Sequence, residues 1–470
     1  MLRLSSCYRR MFLYIHVVRT PSTLRHAPLS TGARLAPART QRSWEYLSEI
    51  DAEDPHGYSA GRYCPIEIGQ NYKDGRYKVI YKLGWGGYAT VWLARDTRNC
   101  TNVALKFGHV DVTSNELRIM RHLQKSHLAH PGRNHVVRLL DSFDVSSRHT
   151  CLVFEPMGVS VPARIERQTG GRLPARIARS VTLQLALGLD YLWQCGVAHG
   201  DLHIGNILFS APEVAIWSEY RLKSYLGVPQ TGAVKRLDGA PVLDSSMPRH
   251  LVWPRELPGS STEIKIIDLG GAFFHDSPPD IVHTPYHVRA PEALFGQPLN
   301  HGVDMWSIGC LLFEIITGRA LISPILADRL SSIEEIRSCI GTAPKEWVDS
   351  LSDEDKEIMR RNSVDPLELD RYFRLAYEQD DDAILGCGGE DDFQVEDYEK
   401  APRELTHEQL DSISATLHKI LVYDAHSRGT PAELLRSPWF ENNDAEDVSI
   451  AQCKGDGQAQ GESRDEMSAC

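Results

Sequence analysis

What this sequence lacks narrows what it can be. No stretch approaches the roughly 20 consecutive apolar residues of a membrane-spanning helix; the nearest, Met11 to Val18, is interrupted by His16. The ten cysteines include no C-x-x-C pair, so neither a zinc site nor a disulfide framework is indicated, and a reducing compartment fits best. Acid is missing from residues 1–44, which carry eight Arg and no Asp, Glu or Lys. Base is missing from Glu378 to Glu399, which holds ten carboxylates and no Lys or Arg. Because the whole chain has a net charge of −12, the eight N-terminal arginines leave −20 on the remainder. Such an acidic body repels the phosphates of nucleic acid and suits a basic partner.

What is present is 470 residues with 42% hydrophobic content, enough to bury a large core in two lobes or domains with extensions. Residues 1–42 have the Arg-rich, Ser/Thr-rich, acid-free composition of a mitochondrial presequence, and equally that of a plain disordered extension. Ser43 to Gln70 turns acidic and Gly/Pro/Tyr-rich and reads as an extended lead-in. The last 30 residues are polar and are predicted to be disordered.

The chemistry centres on His199-Gly200-Asp201-Leu202-His203-Ile204-Gly205-Asn206, which runs into the apolar Ile207-Leu208-Phe209. An Asp and an Asn five residues apart, on a loop pinned by an apolar strand, can present a carboxylate to an acceptor hydroxyl and an amide oxygen to a metal. Alone the octapeptide is only moderately specific. Upstream, Tyr77–Leu83 alternates as a strand, and Gly84-Trp85-Gly86-Gly87-Tyr88 turns the chain into a second strand. Glycines there let backbone N–H groups approach a phosphate chain, with Val91 placed to cover an adenine. A third strand, Asn102–Phe107, carries Lys106 among apolar residues. A lysine so placed needs an anion, either a phosphate or Glu116 in the helical segment Ser114–Leu123.

Strands are predicted over His135–Phe143 and Thr150–Phe154, with Glu155-Pro156-Met157-Gly158 as a hinge between a small β-rich lobe and a larger helical one. From Pro174 to Gln194, Ile177, Val181, Leu185, Leu189 and Leu192 share one helical face, delivering the chain into the Asp201 loop. Residues 210–262 are Pro-, Gly- and Ser-containing with little periodicity, and read as a surface insert, functional or disordered more often than packed. Ile264–Gly270 then reads as a strand ending in Asp268, a carboxylate able to reach a bound metal. His301–Gly318 is apolar nearly all round and is predicted to lie in the core. The acidic run, with Gly386, Gly388 and Gly389 in its middle, reads as a solvated loop or as a groove wall for an Arg-rich substrate.

With these pieces in order, residues from about 77 to 440 resemble a eukaryotic protein kinase, most closely the SR-protein kinases (SRPKs) and their fungal relatives. The features behind this are Leu83-Gly84-Trp85-Gly86-Gly87-Tyr88-Ala89-Thr90-Val91-Trp92-Leu93-Ala94, the Asp268-Leu269-Gly270 triplet, and the insert before it. The resemblance implies an α+β, bilobal protein kinase-like fold, with a small β-rich N-lobe over 61–157 and a larger α-helical C-lobe over 158–440. It leaves residues 1–60 as an extension, inserts at about 210–262 and 376–400, and a tail at 441–470.

The resemblance further implies that ATP and Mg2+ are used. Lys106, paired with Glu116, would hold the α- and β-phosphates; Asp201 would take the substrate hydroxyl's proton; Asn206 and Asp268 would bind magnesium. The nucleotide would be contacted by Leu83, Gly84, Trp85, Gly86, Gly87, Val91, Ala104, Lys106, Glu116, Glu155 and Met157. Glu292 would pair with Arg428, and Asp304 would brace the catalytic-loop backbone. Thr284 falls where the family contacts the catalytic Asp and favours Ser/Thr acceptors. Substrates would be basic Arg/Ser-rich proteins of the mRNA-splicing type, met in cytoplasm and nucleus, with no direct nucleic acid and no membrane span; the acid-free N-terminus points instead to mitochondria, and oligomeric state is not readable.

Three departures bear on this. Gly200 replaces the Arg that often precedes the catalytic Asp, so activity should not need activation-loop phosphorylation. His203 stands where the γ-phosphate usually meets a Lys, and an imidazole is mostly neutral at pH 7, which predicts slower or more pH-dependent transfer. Glu116 lies only ten residues after Lys106, closer than the family usually has it. Two other functions compete: a pseudokinase scaffold that binds nucleotide without transfer, and a small-molecule phosphotransferase of the aminoglycoside and choline kinase type, which His-Gly-Asp-Leu-His-x-Gly-Asn also resembles.

Overall fold

In the computed structural model, the described residues are 46–126, 128–168, 171–259, 261–325, 328–361, 368–378 and 404–440. The Arg-rich residues 1–42, the acidic run beyond Glu378 and the tail 441–470 therefore lie outside the described residues. Strand β1 (Tyr46–Ser48) comes first. Then β2 (Asn71–Tyr72), β3 (Tyr77–Trp85), β4 (Ala89–Asp96), β5 (Thr101–His109), β6 (Leu139–Asp144) and β7 (His149–Phe154) build one sheet in the order β2-β3-β4-β5-β7-β6. The β3–β4 and β4–β5 pairs are antiparallel hairpins, with Val91 opposite Lys106. Helix α1 (Val110–Lys125) crosses from β5 toward β6 and buries Thr113, Glu116, Ile119, Met120 and Leu123, a three-and-four spacing that lays one stripe on the sheet.

The strand expected from His135 begins only at Leu139. Pro131–His135 is a 3-10 turn instead. Gly132 there packs so tightly that a Cβ would fall 1.8 Å from the Leu187 carbonyl oxygen, and a turn pressed against another backbone cannot run straight into a pleated strand.

The hinge residues lead into β8 (Met157–Ser160) and helix α2 (Ala175–Gln194), which buries Val181, Leu185, Leu189 and Leu192 while Ile177 is half-buried. Short strands β9 (Val197–Ala198) and β10 (Ile207–Ser210) bracket the Asp201 loop. Helix α3 (Glu219–Leu226), β11 (Thr231–Arg236) and β12 (His250–Val252) follow. Next come β13 (Ile264–Ile266) and β14 (Phe273–Phe274); β10 pairs with both β8 and β13, and β9 with β14. Helix α4 (Gly302–Thr317) is buried along its whole length, at the centre of a core shared with α2 and α5 (His407–Ile420). A helix apolar nearly all round has no solvent face to offer, so the rest of the lobe must surround it.

Two regions are more ordered than their composition suggests. The 210–262 insert is not a loose surface loop. Its Val214, Trp217, Leu222 and Leu226 form one cluster with Tyr81 and Leu93 of the small-lobe sheet. Tyr81 Oη donates to the Gly227 carbonyl at 2.7 Å, and Asn102 Nδ2 donates to the carbonyls of Val214 and Trp217 at 2.8 Å each. The lead-in is not merely extended either: β1 pairs antiparallel with β11, and Tyr46, Tyr58 and Tyr63 share a cluster with Val234, Met247 and Leu251. Sequence periodicity misses both because each is made of short elements that bury themselves only against one another and the sheet.

Candidate active site

The site forms where β5, α1, the Asp201 loop and the end of β13 meet. Lys106 Nζ lies 2.7 Å from Glu116 Oε2 and 2.7 Å from Asp268 Oδ1. Ten residues suffice for the first contact because α1 starts directly at the end of β5, so Glu116, on its second turn, faces back across the sheet. Burial on its own would push the Lys106 ammonium toward neutrality, but the two carboxylates more than offset this and hold it protonated. Burial also pushes Glu116 up, against the pull of Lys106.

Asp268 behaves differently. Burial alone would raise its pKa, but the Lys106 ammonium pulls it down to about 2. The carboxylate keeps 44% of its side-chain surface open, leaving a face for a further cation. Its backbone is left-handed, with φ of 61°, a conformation that L-residues with a side chain rarely adopt. This aims the carboxylate back over the lysine, and Gly270 N–H donates to it at 3.3 Å.

The Asp201 loop is braced from below. Asp304, in the first turn of α4, accepts from His199 N at 2.5 Å and Gly200 N at 2.9 Å. His199 Nε2 donates to the Ile267 carbonyl at 3.0 Å, with Nδ1 accepting from Asp201 N at 3.3 Å, so one imidazole ties the loop to the segment after β13 that carries Asp268. Asn206 Nδ2 donates to the Asp201 carbonyl at 2.9 Å, which leaves the amide oxygen as the atom available to a cation. Thr284 Oγ1 donates to the Gly200 carbonyl at 2.8 Å. His203 accepts from Gly205 N at Nδ1, 3.1 Å away. Beside it, burial and, less, the His203 ring push His287 down to about 4.

Gly200 has φ of 70°, and a Cβ there would sit 2.3 Å from the Gly271 carbonyl oxygen. The position thus excludes the family's usual Arg for a backbone reason. Farther off, Arg428 makes a bidentate pair with Glu292 at 2.7 Å on both arms, and both side chains are buried.

Leu83, Val91 and Ala104 share an apolar cluster with Phe154 and Ile267. A Cβ built on Gly84 or Gly86 would meet nothing within 4 Å, so nothing crowds the turn at these two glycines. Glu155 is drawn elsewhere: its carboxylate takes Lys265 at 2.8 Å and Arg138 N at 3.2 Å, leaving its main chain for a nucleotide. Met157 lies in β8, opposite Ser210. The donor set fits Mg2+, since Asp268 and Asn206 offer hard oxygens within one loop cluster.

Sequence reading missed the contacts made by Glu53, Tyr58, Tyr63 and Lys82. Lys82 is wholly buried and pairs with Glu53, which also accepts from Tyr58 Oη, while Tyr63 Oη donates to the Gly86 carbonyl at 2.8 Å. The strand pattern gave no signal for Lys82, because Tyr77-Lys78-Val79-Ile80-Tyr81-Lys82-Leu83 places it in the same alternation phase as the exposed Lys78.

Residues 77–224 and 256–440 match the protein kinase domain family, and the gap between the two matched segments falls within the insert. The serine/threonine-protein kinase SRPK of Physarum polycephalum is 27% identical over 84% of this chain and 92% of its own length. Protein kinase dsk1 of Schizosaccharomyces pombe is 24% identical over 83% and 85%. SRSF protein kinase 3 of Mus musculus is 34% identical over 40% of this chain and 36% of its own length. A solved crystal structure of a kinase domain, 22% identical, superposes with a TM-score of 0.56 over 81% of this chain and 99% of that one, a likeness of fold. Among the described residues no helix is long and apolar enough to cross a membrane. A sheet-rich small lobe, a helical large lobe, a lysine bridging two carboxylates across the cleft and this extended family match together place the chain in the protein kinase family, as an SRPK-like serine/threonine kinase.

Proposed function

We propose that the cleft binds MgATP and transfers its γ-phosphoryl group to serine hydroxyls in Arg/Ser-rich proteins of cytoplasm and nucleus. The observation that carries this is Lys106 held at 2.7 Å by both Glu116 and Asp268, since the lysine is fixed where it can take phosphate oxygens and the metal-reaching carboxylate is fixed beside it. Asp201 orients the hydroxyl and takes its proton. Asn206 and Asp268 would hold Mg2+, which when bound neutralises phosphate charge. The turn of residues 84–87 covers the phosphates, with the Gly86 N–H already committed to the Ala89 carbonyl, and Leu83, Val91 and Ala104 enclose the base. Nearly all of the acceleration in such a site comes from positioning and fixed charge.

The basic-substrate part of the reading is supported by the −20 formal charge of the chain beyond residue 44 and by the names of the SRSF and SRPK relatives. Labelled MgATP, the full chain and three acceptors (an Arg/Ser repeat peptide, a generic acidic-site peptide and an aminoglycoside) test it together. Label on the Arg/Ser peptide, lost with Asp201→Asn, is the expected result. Label on the aminoglycoside alone, or on nothing, overturns it.

A further inference from the structure

The family match begins at residue 77, yet the phosphate-covering loop is held by residues before it. Tyr63, 23 positions upstream of Gly86, donates its hydroxyl proton to the Gly86 carbonyl at 2.8 Å. The tyrosine is itself immobilised: it is 5% exposed and its ring meets that of Tyr58 edge-on at 5.4 Å. Gly57 makes the room for it, since a Cβ at that position would lie 2.2 Å from the Tyr63 ring. Tyr58 in turn donates to Glu53, and Glu53 takes the Lys82 ammonium. That ammonium stands 5.4 Å from the Trp85 ring centre and 5.6 Å from that of Trp92. The preceding segment thus grips the loop at two points, its entry through Lys82 and Trp85 and its tip through Gly86.

The geometry of one peptide group gives this a consequence. The unit joining Gly86 to Gly87 is planar and trans, so its C=O and N–H point in opposite directions. Fixing the Gly86 oxygen on Tyr63 therefore turns the Gly87 N–H away from Tyr63 and from the aromatic cluster around it. That cluster is distinct from the one containing Leu83, Val91 and Ala104, which line the base slot. A glycine pair otherwise samples many orientations, and each N–H must be ordered before it can receive a phosphate oxygen. Gly86 N also donates to the Ala89 carbonyl at 2.9 Å, closing the turn and leaving the Tyr63 bond to set the orientation of the next peptide.

We propose that Tyr63 is a positioning residue for the nucleotide, holding the 86–87 peptide so that its N–H is preset for a phosphate of MgATP. This rests on the reading of the cleft as the MgATP site. The full chain carrying Tyr63→Phe keeps the packed ring and loses only the hydroxyl. The expected result is a rise of about fivefold in both the calorimetric Kd and the KM for MgATP, with kcat and the peptide KM within about twofold. Tyr423→Phe is the matched control, because it removes a hydroxyl that donates to the Gly341 carbonyl at 2.9 Å in the large lobe, and it should leave the KM for MgATP unchanged. Tyr63→Phe with unchanged nucleotide Kd and KM, or the two variants shifting alike, overturns the proposal. A wild-type chain that binds no MgATP at all overturns the underlying reading of the cleft as well.

Discussion

Gly200 and Gly271 meet backbone to backbone, close enough that a Cβ on Gly200 would lie 2.3 Å from the Gly271 carbonyl oxygen. The residue before Asp201 and the segment after Asp268 are thereby locked together by main chain, and Thr284 adds a hydrogen bond to the Gly200 carbonyl from farther along that segment. Restoring an arginine here should therefore harm the protein. Gly200→Arg and Gly200→Ala must both leave a left-handed φ and push Gly271 away. We expect a loss of stability of at least about 1–3 kcal/mol for either, with a large fall in phosphotransfer. Thermal unfolding and single-turnover transfer check this; an active, equally stable Gly200→Arg would contradict it.

Asp268 makes a second, pH-dependent prediction. Its folded pKa is depressed to about 2 by Lys106, against the opposing effect of burial. A depressed carboxylate contributes stability that is fully present above its unfolded pKa near 3.9 and is lost as pH falls through the folded value. The pair should thus leave stability flat from pH 5 upward and contribute acid sensitivity only between about pH 4 and 2. Because the side chain is 44% open, the contribution should be no more than about 1 kcal/mol. Lys106→Met should shift the acid-unfolding midpoint upward; a midpoint that does not move would show the pair to be energetically silent.

Glu314 carries the opposite sign. It sits in α4 with burial alone pushing its carboxyl up to about 7. A raised acid stays protonated in the fold and opposes folding increasingly as pH climbs from the unfolded value through 7. Glu314→Gln should therefore raise stability at pH 8 by up to about 3 kcal/mol and leave it nearly unchanged at about pH 4. Equal effects at both pH values would mean that Glu314 is ionised throughout.

Glu53 and Lys82 supply a fourth. The ammonium is wholly buried, burial pushes its pKa down, and Glu53 is what opposes this. Glu53→Ala should cost about 3–5 kcal/mol by leaving a buried charge unpaired, while Glu53→Leu combined with Lys82→Met should recover most of it. If the single and double variants unfold at the same denaturant midpoint, the pair does not anchor the 46–63 segment.

The outcome for individual residues separates what is local from what is not. The local placement of Asp201, Asn206 and Asp268 is legible in the chain because each stands next to the strand or turn that holds it. Lys106 and Glu116 are nearly so, since one helix follows one strand without a loop. Residues 210–262 were not legible: Trp217 and Leu222 have no periodic stripe long enough to announce burial, and they are covered only when Tyr81 and Leu93 arrive from a sheet more than a hundred residues earlier.

The sequence by itself determined which chemistry is possible, because the residue types of Lys106, Asp201, Asn206 and Asp268 and the short Asp201–Asn206 spacing are properties of the chain and survive any arrangement of the rest. Only the tertiary structure decided how those groups are held. A lysine two residues before a glycine turn becomes a buried anchor when Glu53 reaches it, and a tyrosine in an unremarkable lead-in becomes a tether when Gly86 falls 2.8 Å from its hydroxyl. Burial and ion pairing depend on what surrounds an atom in three dimensions, and that environment is created by residues with no fixed separation along the chain.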